Sequence, residues 1–129
     1  MSVLEIANQL VALCREGKNE EAIEKLYSPD IVSVEAMDMP GMGQTQRGIQ
    51  AITGKTKWWY ENHEVHGGEV SDPYPNGNQF IVQFKFDVTP KHTGQRMTMD
   101  EVGLYTVDNG KIVKEEFFYQ TEGCDGSGA

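Results

Sequence analysis

Apolar residues recur at intervals of three and four along the first half of the chain and at intervals of two along the second. Spacing near 3.6 marks one face of a helix, and alternation marks a half-buried strand. Val3, Ile6, Ala7, Leu10, Leu13 and Cys14 form one helical stripe. Ser2-x-x-Glu5 ahead of it reads as a capping box, in which hydroxyl and carboxylate satisfy free amides at the helix start. Gly17 ends that helix, because glycine accepts the left-handed backbone found there. Asn19 is placed to cap a second helix carrying Ala22, Ile23, Leu26 and Tyr27, which Pro29 closes. A short strand, Ile31–Glu35, follows. Met37, Met39 and Met42 then sit among Pro40, Gly41 and Gly43 in a predicted loop over 36–47. A third helix opens near Gly48 and buries Ile49, Ile52, Thr56 and Trp59, with His63 near its end.

Beyond this point the period becomes two. Residues 64–71 read as a strand, and Asp72 to Asn78 is dense in turn formers. Phe80, Val82, Phe84, Phe86 and Val88 alternate with Ile81, Gln83, Lys85 and Asp87, a half-buried strand. A polar loop from Pro90 to Gln95 leads to a strand from Met97 to Val107. Asp108-Asn109-Gly110 turns it tightly into a last strand, Lys111–Tyr119. Helices followed by an antiparallel meander predict an α+β fold: a curved antiparallel sheet wrapped over the N-terminal helices. Such a sheet leaves a cone open at one end, where a small molecule would bind. No repeat or linker divides the chain, so residues 1–120 are expected to form one domain, with 121–129 as a flexible tail.

Charge narrows the function. Twenty acidic residues against eleven basic ones give 129 residues a net charge of −9, which disfavours nucleic acid and anionic membranes as partners. No apolar run approaches the ~20 residues of a membrane span, and the N-terminus lacks the features of a signal peptide. A cytoplasmic location is therefore expected. Cys14 and Cys124 do not make a disulfide framework. No cofactor is expected: Gly41, Gly43 and Gly48 lack phosphate-loop spacing. Nor is a metal, since His63 and His66 have no third ligand at sensible spacing. His92 reads as a solvated loop residue. Cys14, on a buried helix face, has no partner to make it a nucleophile.

Three segments carry a family likeness: Leu26-Tyr27-Ser28-Pro29-Asp30, Gly48-Ile49-Gln50-Ala51-Ile52 and Asp108-Asn109-Gly110-Lys111-Ile112-Val113. In this order, over about residues 3–120, the chain resembles the SnoaL-like branch of the nuclear-transport-factor-2-like superfamily. The resemblance implies a cone-shaped, cystatin-like α+β barrel. It leaves activity open, because that superfamily holds isomerases, cyclases, dehydratases and plain binding domains. In the related ketosteroid isomerases an acid on the first strand moves a proton, while a Tyr and a protonated Asp hold the oxyanion. Glu35 falls at the position of the proton-moving acid. Leu10 and Gly103 fall at the two oxyanion positions. Each such donor can contribute on the order of 10²–10³ in rate, so ordinary ketosteroid isomerisation is not expected.

Alternation puts Val113, Glu115, Phe117 and Tyr119 on one strand face, and Met97, Met99, Glu101, Gly103 and Tyr105 on one face of its neighbour. The resemblance makes these faces concave. Glu35, Glu101 and Glu115 would then meet Met37, Trp59, Phe84, Phe86, Met99, Phe117 and Tyr119, the expected ligand-binding residues. Carboxyls crowded in an apolar pocket raise one another's pKa. Three readings stay open. The first is a cofactor-free isomerase, cyclase or dehydratase with Glu35 as general base, tuned by Glu101 or Glu115. The second is a non-catalytic module for a hydrophobic small molecule, and the third a dimeric scaffold. Glu101 and Glu115 at a solvated rim, and Met and Trp side chains that only pack, are the plainer alternatives. Ile81, Val102, Leu104, Ile112 and Phe118 point outward, and such a patch predicts a homodimer through the outer sheet face.

Overall fold

A computed structural model describes residues 1–120; the expected tail, 121–129, with Cys124, lies outside the described residues. Helices α1 (Val3–Arg15) and α2 (Asn19–Leu26) come first, and α3 (Ile49–Asn62) follows the strands β1 (Tyr27–Met39) and β2 (Gly43–Arg47). The remaining strands are β3 (His63–Val70), β4 (Tyr74–Asn76), β5 (Gln79–Pro90), β6 (Met97–Asp108) and β7 (Lys111–Phe118). The capping box of α1 forms as expected. The Glu5 amide donates to Ser2 Oγ at 3.1 Å, and the Ser2 amide donates to Glu5 Oε1 at 3.0 Å.

The second helix departs from expectation at both ends. Lys18, not Asn19, holds the N-cap position, and its side chain makes no capping hydrogen bond. At the other end Leu26 is the last helical residue, and Tyr27 is already extended at φ −92°, ψ 141°. Pro29 therefore does not terminate the helix. It lies inside β1, where the pairing with β7 is interrupted between Tyr27 and Val32. A residue without an N–H is tolerated at such an irregularity. The 36–47 segment is likewise not an open loop. It is a ribbon in which β1 and β2 pair back to back through Val32–Arg47 and Met39–Gly43. Gly41 and Gly43, at φ +73° and +74°, supply the left-handed backbone that its turn needs.

The strands run in the order β2-β1-β7-β6-β5-β3, with β4 on β5. Pairings are antiparallel except β1 with β7, which is parallel. The sheet is thus mixed, curved and unclosed. Three helices sit against its concave side, and the core joins Ile6 and Leu10 of α1, Leu26 of α2 and Ile52 of α3 to Ile31, Phe80 and Val82 of the sheet. Among the described residues no helix is long and apolar enough to cross a membrane.

The hairpin between β6 and β7 turns at Asn109 and Gly110, both at positive φ (51° and 73°), as a type I′ turn requires. Its register then slips. Thr106 pairs with Lys114 but Val107 with Ile112, so Val113 is an extra residue on β7. Ile112, expected on the outer face, is consequently turned inward and fully buried. Alternation beyond the bulge places Glu115 inside at 3% exposure.

Candidate functional site

A cavity of about 440 Å³ lies between the three helices and the concave sheet face. All ten residues expected at the site border it: Glu35, Glu101 and Glu115, with Met37, Trp59, Phe84, Phe86, Met99, Phe117 and Tyr119. Its walls are largely aromatic. Trp59 lies 5.9 Å from the Phe86 ring and stacks on His63 at 4.5 Å. The Phe84 and Phe86 rings stack at 5.9 Å, and Tyr105 meets Phe117 edge-on at 6.2 Å. Leu10 also lines the cavity. Gly103 leaves no room for a side chain, because a Cβ there would meet Tyr105 Cε2 at 2.8 Å and Phe117 Cε1 at 3.2 Å. Neither position presents a side-chain hydrogen-bond donor.

One polar chain crosses this apolar interior. Tyr119 OH donates to Glu35 Oε1 at 2.9 Å, and Lys55 Nζ pairs with Glu35 Oε2 at 2.7 Å. The same ammonium donates to Ser33 Oγ at 2.6 Å, and Ser33 donates to Glu115 Oε2 at 2.7 Å. Tyr27 OH closes the inner end on Glu115 Oε1. Lys55 also sits 5.4 Å from the centre of the Phe117 ring, within reach of a cation–π contact.

The three carboxyls are therefore not equivalent. Burial raises the pKa of Glu115, although Lys55, Tyr27 and Ser33 oppose that rise. Glu101 is pushed up to about 8 by burial first and by the Glu35 charge second, against the pull of Lys55. Its carboxyl makes no hydrogen bond among the described residues. Glu35 alone holds both an ion pair and a hydroxyl donor.

Lys55, Ser33 and Tyr27 were not among the residues expected at the site. A signal for Lys55 was present, since it lies three residues after Ile52 and four before Trp59 on the buried face of α3. Ser33 shares the strand face of Glu35 two residues on. Tyr27 was read as helix packing and instead enters the site from the start of β1.

The histidines take separate partners. His63 Nδ1 lies 2.8 Å from the Trp59 carbonyl, and His66 Nε2 lies 2.7 Å from Thr89 Oγ1. Burial lowers the His63 pKa. His92 is exposed and also borders the cavity. Cys14 lines the cavity too, its thiol pushed up to about 12 by burial and then by the Glu115 charge. It stays a neutral thiol at physiological pH.

The model of a family described as SnoaL-like domain matches residues 1–119. No curated protein matches the chain. A crystal structure from Mesorhizobium loti, described as a candidate SnoaL-like polyketide cyclase and also as a carbohydrate phosphatase, is 55% identical. The match covers 92% of this chain and 100% of that one, with a TM-score of 0.87. A Catenulispora acidiphila protein with a ketosteroid isomerase-like fold, in complex with trimethylamine, is 19% identical over 91% of this chain and 86% of that one, with a TM-score of 0.70. TerC co-crystallised with polyporic acid is 22% identical over 92% of each chain, with a TM-score of 0.72.

Proposed function

The chain belongs to the SnoaL-like domain family, and from that premise we propose that its cavity takes a hydrophobic, carbonyl-bearing small molecule and moves a proton on it without a cofactor. The observation that carries this reading is the contrast between Glu35 and Glu101 on one apolar cavity. Glu35 is ion-paired with Lys55, whereas Glu101 has no hydrogen-bond or ion-pair partner among the described residues and its pKa is pushed up to about 8. Environments that separate two carboxyls in this way assign them opposite proton roles. Glu35 is the base that takes a proton next to the carbonyl. Glu101, protonated at neutral pH, is the acid that donates to the oxygen. Isomerisation, ring closure and dehydration can all start from that step. The distant structures that hold trimethylamine and polyporic acid support a small organic occupant.

The test is deuterium exchange at the α-carbon of aryl ketones such as 1-tetralone, followed by NMR in heavy water. Wild type is expected to accelerate exchange, and Glu35→Gln to slow it by at least about 10²-fold, the range of general-base catalysis. Ketone affinity should change little. Ketones that bind without any acceleration of exchange would favour the second reading, a binding module in which Glu35 only accepts a hydrogen bond. The apolar residue at position 10 and the bare Gly103 are the observations on that side.

A second copy of the chain is the occupant proposed for the outer sheet face. Ile81 pairs with Leu104 and Val102 with Phe118 across neighbouring strands. Ile81 and Phe118 are 39% and 54% exposed, and the four make one apolar patch. Sedimentation should show a dimer that Phe118→Asp converts to monomer. A monomeric wild type at micromolar concentration would sink the idea.

A further inference from the structure

Glu35 and Lys55 act as one unit, because their side chains are only 11% and 8% exposed and their charged atoms are 2.7 Å apart. An ammonium has three N–H donors. Two are used here, on Glu35 Oε2 and on Ser33 Oγ. The third has no acceptor among the described residues, and Lys55 borders the cavity beside the Phe117 ring. Ser33 is held in turn by the buried Glu115, and Glu115 by Tyr27. That lower chain gives Nζ a second anchor at the cavity wall besides Glu35.

Protonation of Glu35 has a consequence for Lys55. Once the carboxylate is neutral, the ammonium loses its nearest counter-ion in a site largely closed to water, a costly state unless another anion takes the place. The proton transfer itself makes that anion. As the C–H bond breaks, the proton goes to Glu35 and the bonding pair forms a carbon–carbon double bond. The carbonyl π pair then moves onto oxygen. The net charge of the cavity does not change.

We propose that Lys55 is the oxyanion-binding group of this cavity, pairing with Glu35 at rest and with the ligand's enolate or phenolate oxygen once Glu35 is protonated. This rests on the reading of Glu35 as proton acceptor. It supplies the donor absent at Leu10 and Gly103, and Glu101 adds a second from β6. It also sets a ligand class. Weakly acidic enols and phenols can hand a proton to Glu35 and leave one anion beside one cation. A permanent anion such as a carboxylate brings no proton, so it adds a negative charge beside Glu35 and Glu115 and is rejected.

Three probes of one size separate these cases: 4-nitrophenol, its neutral ether 4-nitroanisole, and 4-nitrobenzoate. About one unit below the phenol's own pKa, wild type is expected to bind it with the phenolate absorption band present, to bind nitroanisole, and to bind nitrobenzoate at least about tenfold more weakly than the phenol. Lys55→Met should bind nitroanisole as wild type does and show no phenolate band. Glu35→Gln leaves Lys55 without its counter-ion. Above the probe's pKa it should bind preformed phenolate at least about tenfold tighter than wild type, the worth of one charge-assisted hydrogen bond. Opposite effects of the two substitutions on one probe are not produced by a loss of packing. Equal phenolate affinity in Glu35→Gln and wild type would overturn the Lys55 role, and so would a phenolate band that survives in Lys55→Met. If Lys55→Met does not fold, the Glu35→Gln arm decides alone. Nitroanisole failing to bind wild type while Glu35→Gln still gains phenolate would overturn the apolar-pocket reading and leave the Lys55 role standing.

Discussion

Lys55→Met is expected to lower the free energy of unfolding by about 3–5 kcal/mol at neutral pH, the usual cost of removing one partner from a buried ion pair. Met keeps the length and most of the apolar stem of Lys, so little of this loss comes from packing. The loss arises from what stays behind. Glu35 keeps only its hydroxyl donor from Tyr119, and Glu115, 3% exposed, keeps only Tyr27 and Ser33. Lys55 is one of the groups that hold the Glu115 pKa down against burial, so its removal lets that pKa rise further.

The sign of the pH effect follows from that rise. A carboxyl whose folded pKa lies above its unfolded value, ~4.3, contributes stability below that value and loses it as pH climbs through the folded pKa. The variant should therefore approach wild type near pH 4 and fall behind steadily toward pH 8. Urea unfolding across that range, with an unchanged m-value, is the measurement. A deficit constant with pH would mean lost packing, not uncompensated charge. Adding Glu35→Gln to the variant should recover part of the loss, because two groups in contact are not additive.

That the site turns on a lysine shows where the sequence was readable and where it was not. Alternation in two strands was enough to put Glu101 and Glu115 on the faces that carry Met99 and Phe117. The family likeness added Glu35. Lys55 escaped because a lysine on a helix is ordinarily a solvent-facing residue, and its burial depends on Ser33 and Glu35 arriving from a strand elsewhere in the sequence. Tyr27 escaped for a local reason. Apolar spacing in α2 runs through Leu26-Tyr27 without a break, and the change to extended backbone has no marker until Pro29. The bulge at Val113 adds one residue to a run of plausible alternation, so Ile112 was read on the wrong face. The parallel partnership of β1 with β7 joins Val32 to Lys114, and a pairing so distant leaves no local pattern. The glycines at 41 and 43 marked a turn correctly, but nothing nearby said that strands continue to either side of it.

Glu101→Gln is expected to do the reverse of Lys55→Met and stabilise the protein in alkaline solution. Glu101 rises from 4.5 to about 8, chiefly through burial and then the Glu35 and Glu115 charges, against Lys55. At about 1.4 kcal/mol per unit this corresponds to on the order of 5 kcal/mol. The side chain faces the cavity and is not wholly closed off, so water there reduces the figure to about 3 kcal/mol. Because the folded pKa is the higher one, that stability is present below about pH 4.5 and disappears as pH rises through 8. Wild type should weaken over this window more steeply than Glu101→Gln, which lacks this charge and keeps only that of Glu115 to bury. The two are then equal near pH 4 and differ by about 3 kcal/mol near pH 9, with the variant more stable. Gln retains an N–H donor but has no proton to give, so ketone affinity should survive while exchange at the α-carbon slows. Parallel stability curves for variant and wild type would show that Glu101 is not the group titrating there.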